Sequence, residues 1–142
     1  MIYIEACSSD TSLAFRMGRG IRMPMLTTSI GRAFIAGLPE QEREFFLETF
    51  KNRMPNEVSP EILQKVYMEI EHFNKHGYCR SMSEWKNGVN AIAAPIPISG
   101  PSSDLMVLSI SGPSFMVSNN ELEEKLADNL ISLINHIARQ FE

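Results

Sequence analysis

The segment Ser99-Gly100-Pro101-Ser102-Ser103-Asp104 is dense in turn-forming residues and separates two apolar runs, residues 89–98 and 105–111. Short runs rich in Val, Ile, Ala and Leu, joined by so brief a polar link, meet side by side and antiparallel. A parallel return would need a crossover of about a dozen residues or more. The chain is therefore expected to be built on an antiparallel sheet whose strands are joined by hairpins rather than by repeated βαβ crossovers.

The remaining pattern supplies the helices that cover such a sheet. Ser59-Pro60 reads as a cap followed by a first-turn proline, and Ile62, Val66, Ile70 and Phe73 follow at helical spacing. A helix over 59–76 stopping at Gly77 is expected, then a brief strand at 78–81, with Ser81-Met82-Ser83-Glu84 as a capping box over one turn. Upstream, 27–36 reads as a short helix with Thr27 or Thr28 as its cap and Gly37-Leu38-Pro39 as its stop. Residues 40–52 form a second helix, with Phe46, Leu47 and Phe50 as its apolar stripe. At the start, 2–7 and 11–17 alternate and read as a β-hairpin. A basic loop with Arg16, Arg19 and Arg22, broken by Gly18, Gly20 and Pro24, overlaps its end. The last element, 118–141, opens on a Ser118/Glu121 capping box and carries Leu122, Leu126, Leu130, Leu133, Ile134, Ile137 and Phe141 along one side. The order β-β-α-α-α-β-β-β-α is that of an α+β layer fold, a central antiparallel sheet flanked by helices in a single domain.

Composition limits the function. With 13 Lys and Arg against 17 Asp and Glu, the net charge is -4, a poor basis for binding nucleic acid directly. No apolar run spans a membrane and the N-terminus lacks a signal-peptide pattern, so a cytoplasmic protein is expected. The opening on a strand-like run reads as a fragment of a longer chain. Two cysteines, Cys7 and Cys79, form no CxxC pair and suit a reducing compartment. Both read as small buried hydrophobes.

Catalytic signals are weak. His72 and His76 lie four apart on one helix, but without an HExxH arrangement or a third ligand they read as two histidines on a solvated face. Cys79 has no base in a defined position, and Gly18-Arg19-Gly20 is no phosphate loop. No catalytic residue, metal or cofactor is assigned. A binding site is better supported. Alternation places Ser109 and Ser111 on one face of their strand, and Val89, Ala91 and Ala93 share a face of the neighbouring strand, where their small size leaves room. A helix starting at Thr27 or Thr28 offers the amides of Ser29, Ile30 and Gly31 as an anion-binding terminus. Hydroxyls plus helix-start amides suit a carboxylate. The same serines could equally be satisfied by backbone or water, the nine methionines are either core filler or an adaptable pocket lining, and the arginine loop is either solvated surface or an anion attractor.

Three blocks in order carry a family resemblance. The run from Gly20 to Pro39, GIRMPMLTTSIGRAFIAGLP, resembles the GxRxPLHATALGKALLAxLP signature of IclR-type transcriptional regulators. His76-Gly77-Tyr78, Ser83-Glu84 and Gly88-Val89-Asn90-Ala91-Ile92-Ala93-Ala94-Pro95-Ile96 are similar to the family's GYAxDxEExxxGVxCIAAPI, and Leu108-Ser109-Ile110-Ser111-Gly112-Pro113 to its LSISGP. The resemblance implies a GAF-like C-terminal effector-binding and oligomerisation domain over 1–142, with the family's N-terminal winged helix-turn-helix absent from this chain and DNA bound only through it. It implies a small organic acid as effector, contacted by Ser29, Ile30, Val89, Ala91, Ser109 and Ser111, with Leu13 and Phe15 walling the pocket, and self-assembly as a dimer or tetramer. Family members often carry His, Lys and Cys where this chain has Leu26, Arg32 and Ala91. That loss of polar groups points to an aromatic or medium-chain carboxylate. Two alternatives remain: an oligomerisation domain without a working pocket, and a GAF-like thiol redox enzyme using Cys7 or Cys79.

Overall fold

A computed structural model describes residues 1–7, 18–98 and 105–141. The turn at 99–104 and the strand expected at 11–17, with Leu13, Phe15 and Arg16, lie outside the described residues. The antiparallel pair is present: β2 (Val89–Ile96) runs against β3 (Met106–Pro113), with Ala91 opposite Ser111 and Ala93 opposite Ser109. On the other edge of β2 lies β1 (Cys79–Met82), also antiparallel, with Ser81 opposite Ala91. The described sheet has the order β1-β2-β3, and Ser81, Ala91 and Ser111 form one rung across it.

Period-two alternation divides the sheet into two faces with separate cores. Cys79 and Ala93 pack with Ile30, Ala33 and Ile35 of α1 (Ser29–Gly37), Leu47 of α2 (Glu40–Arg53), and Val66 and Ile70 of α3 (Pro60–His76). Ile92, Ala94 and Ile96 pack on the opposite side against the C-terminal helix, through Leu122, Ala127, Leu130 and Ile134. Helices therefore cover both faces of an antiparallel sheet, an α+β arrangement in one domain. Arg80 joins the layers, pairing with Glu69 of α3 at 3.1 Å and with Glu123 of the C-terminal helix at 3.1 Å.

The caps fall where local chemistry places them. The Thr28 hydroxyl accepts from Gly31 N, Ser59 Oγ accepts from Ile62 N, and Gly77 closes α3 in the left-handed region at φ 83°. Two expectations are corrected. The capping box at 81–84 forms no helical turn: Ser81 belongs to β1 and its hydroxyl donates to Thr27 O, while Glu84 turns away to basic partners. The C-terminal helix is not one regular α-helix to Phe141. After the Ser118/Glu121 capping box it comprises α4 (Asn119–Glu121), a π-helical stretch (Leu122–Leu126) and α5 (Ala127–Ala138). The extra residue in that stretch changes its stripe, so the buried positions are Leu122, Ala127, Leu130, Ile134 and Ala138, while Leu133 and Phe141 are exposed. At the N-terminus, residues 2 and 3 of the expected hairpin pair with the basic loop, while its other strand, 11–17, lies outside the described residues. Ile2 bridges Arg22, Tyr3 N donates to Ile21 O and Gly20 N donates to Tyr3 O. Gly20 at φ 85° turns the loop back toward the chain start.

Candidate functional site

The start of α1 is fixed by its cap and by close packing against the preceding loop. Thr28 Oγ1 accepts from Gly31 N at 3.1 Å and donates to Pro24 O at 2.6 Å, so the cap is itself tied to the preceding loop. Gly31 is required here because a Cβ would collide with the backbone carbonyl of Met25. Arg32 N already bonds Thr28 O, which leaves the amides of Ser29 and Ile30 as the helix's free donors among the described residues.

Ser29 and Ile30 share a small cavity with the hydroxyl-bearing side of the sheet. Its lining holds Ser29 and Ile30 of α1, Val89 and Ala91 of β2, and Ser109 and Ser111 of β3. All six sequence-derived candidates within the described residues thus meet in one place, while Leu13 and Phe15 fall outside those residues. Tyr3, Met23, Thr28, Ser81 and Trp85 complete the lining. Sequence reasoning missed these five as lining residues, because Tyr3 and Trp85 arrive through long-range contacts with no local signature. The space open to the centre of a water molecule is only ≈ 20 Å³.

The polar groups of the cavity divide into two sets. Thr28 and Ser81 are committed to the carbonyls of Pro24 and Thr27. The hydroxyls of Ser29, Ser109 and Ser111 make no hydrogen bond among the described residues, even though Ser29 is only 2% exposed. Among the described residues no charged side chain stands in the lining. The nearby Arg32 is no receptor for an anion: its guanidinium, 1% exposed, donates to Leu26 O and Arg80 O and forks onto Glu84 at 2.9 Å through both Nη atoms. Lys65 Nζ reaches the same carboxylate at 2.9 Å. Burial by itself would raise the Glu84 carboxyl, but the hydrogen bonds from Arg32 and Lys65 outweigh it and hold the group at about 2. The arrangement can hold a small anion by neutral donors, with apolar and aromatic walls for its body.

The other sequence candidates lie elsewhere. Cys79 is buried as expected, and burial pushes its thiol well above the usual range. Cys7 is exposed, contrary to expectation. His72 and His76 share one face, their rings stacked at 4.4 Å, but only His76 is exposed: His72 is half-buried, meets Tyr78 edge-on at 4.9 Å, and its Nε2 is buried without a partner. Burial lowers the His72 pKa, Arg80 and His76 add to the effect, and Glu69 and Glu123 oppose it. Arg19 and Arg22 are exposed. Among the described residues no group of three or more His, Cys, Asp or Glu is placed to hold a metal, and no helix is long and apolar enough to cross a membrane.

Comparison with known proteins accounts for this geometry. A crystal structure of an IclR family transcriptional regulator from Brucella abortus superposes with a TM-score of 0.89 at 30% identity, covering 100% of this chain and 53% of that one. The IclR of Thermotoga maritima gives 0.78 at 24%, covering 99% and 56%. The inducer-binding domain of the PobR transcription factor from Acinetobacter, a double mutant in complex with 3-hydroxy benzoic acid, gives 0.69 at 19%, covering 92% and 74%. The chain thus spans about half the length of the Brucella and Thermotoga regulators. No curated protein sequence matches it. The family model for the bacterial transcriptional regulator IclR C-terminal domain matches residues 1–140, and the chain belongs to that family, as the effector-binding domain of a transcriptional regulator.

Proposed function

We propose that this domain senses a small organic acid, an aromatic or medium-chain carboxylate, and reports its presence to a DNA-binding domain carried elsewhere in the full-length cytoplasmic regulator. One observation carries the reading: the residues of two free helix-start amides and of three serine hydroxyls without a partner among the described residues line one cavity, where no charged side chain stands among those residues. The carboxylate sits at the Ser29 and Ile30 amides, where the helix terminus favours negative charge. Ser109 and Ser111 contact its polar end, and Tyr3, Met23, Trp85, Val89 and Ala91 take the apolar body, with Leu13 and Phe15 as further walls. The complex of the Acinetobacter relative with 3-hydroxy benzoic acid agrees with this ligand class. No bond is made or broken; the acid stabilises one packing of sheet and helices, and subunits of a dimer or tetramer convert that preference into a regulatory signal. Buried Cys79, with its raised thiol, gives the thiol redox alternative no support, which leaves that alternative to the exposed Cys7.

Thermal unfolding against a panel of aliphatic and aromatic acids tests the reading. A ligand at one hundred times its dissociation constant stabilises by about 2.7 kcal/mol, a shift of several degrees. A selective shift for benzoate-like acids that shrinks in Ser111→Ala is the expected result. Stronger stabilisation by glyoxylate or pyruvate would overturn the ligand class, and flat traces across the panel would leave a domain that only assembles subunits.

A further inference from the structure

With room for about one water molecule, the cavity cannot take an aromatic acid unless a wall moves. Most of the lining belongs to α1 and to the three strands of the sheet, whose opposite face is packed against the C-terminal helix. Tyr3, Met23 and Trp85 lie outside the helices and strands, and of these three Trp85 alone sits between β1 and β2, in a segment tied to α1 and α3 through its neighbour Glu84. That segment is pinned at its neck by Ser83 N to Val89 O at 2.8 Å and Val89 N to Lys86 O at 3.0 Å. Both of its ends lie in the left-handed region, Ser83 at φ 57° and Gly88 at φ 80°, an uncommon setting for a serine. One residue before Trp85, Glu84 is gripped by Arg32 of α1 and Lys65 of α3, each at 2.9 Å.

We propose that Trp85 is the movable wall that selects the effector by size, and that Glu84 is the positioning residue that latches this wall against α1 and α3. The proposal rests on the sensing reading above. An entering acid displaces the indole and pulls Glu84 away from a guanidinium that is buried and has no other carboxylate within reach among the described residues. Wider acids require a larger displacement and bind less well. The contact between Glu84 and both helices makes the wall's position felt in α1 and α3.

Trp85 is the only tryptophan of the chain, so its emission reports this wall alone. The test titrates the chain with benzoate, octanoate and 2-naphthoate, followed by calorimetry and by tryptophan emission. Binding of any of these acids is expected to change the emission, and Trp85→Ala to improve 2-naphthoate relative to benzoate at least tenfold, with Trp85→Phe intermediate. Lys65→Met, at a residue whose side chain is 55% exposed, is expected to shift the emission before any ligand is added and to tighten all three acids several-fold. Heat of binding with unchanged emission, together with an unchanged naphthoate-to-benzoate ratio in the Trp85 variants, overturns the role of Trp85 and leaves the sensing reading standing. Unaltered emission and affinities in Lys65→Met overturn the latch. If no acid produces heat with the unmodified chain, the sensing reading itself fails and this proposal with it.

Discussion

Gly31 shows how one hydrogen atom in place of a methyl group can decide a local structure. In an exposed helix, alanine would stabilise over glycine by about 1 kcal/mol. Here the added Cβ meets the Met25 carbonyl, backbone that has no room to retreat, so Gly31→Ala is expected to destabilise by about 1–3 kcal/mol in urea unfolding and to abolish the ligand-induced shift. Thr28→Ala removes the oxygen that caps Gly31 and the donor to Pro24, at a cost of about 1 kcal/mol, and Thr28→Ser restores most of it. A cap is a contact across a few residues, so the position of Thr28 was legible in the sequence to within one residue. The lining roles of Tyr3 and Trp85 were not, since Tyr3 is placed by pairing with Gly20 and Ile21 and Trp85 by a neighbour bonded to Arg32, 52 positions away in the chain.

At the level of elements, the same distinction separates the helices from the segment after β1. The start and stop of α3 follow from Ser59, Pro60 and Gly77, and the floor of the cavity follows from alternation along β2 and β3. The residues Ser81 to Glu84 satisfy the capping pattern equally well, yet they form no helical turn, because the alternatives are stronger. Ser81 gains a strand register and the Thr27 carbonyl, and Glu84 gains two cations at 2.9 Å. A single capped turn, worth about 1 kcal/mol, cannot compete with a charged fork onto a buried arginine. Glu84→Gln leaves the Arg32 charge uncompensated and is expected to cost about 3–5 kcal/mol, read as a fall in thermal midpoint.

For the whole molecule, acid should weaken the fold in two stages. His72 has a folded pKa below its ordinary 6.5, so the unfolded chain takes up the proton first and stability falls as pH drops below about 6.5. Glu84 has the depressed carboxyl of a paired acid. Its contribution is complete above about 4.5 and is lost as pH falls toward about 2. His72→Leu should remove the first stage without destabilising the protein at neutral pH, because the buried Nε2 gives up no hydrogen bond. Denaturant unfolding at pH 7.5, 5.5 and 3.5 separates the stages. The α+β architecture was legible because patterning alone separates hairpins from crossovers. That the C-terminal helix carries a surplus residue was not, since its leucines fit an uninterrupted α-helix equally well.

That surplus residue constrains how the chain can change length. An α-helix advances about 100° per residue, so losing one residue from Leu122–Leu126 throws the two ends of the helix out of phase. If Ala127, Leu130 and Ile134 stay on the sheet, Leu122 swings out of the core and Glu123 off Arg80; if those contacts hold, the rest of the apolar stripe turns toward water. A deletion at this solvent-facing helix would therefore act like a core mutation, and relatives that lack the residue must re-aim one end of the helix.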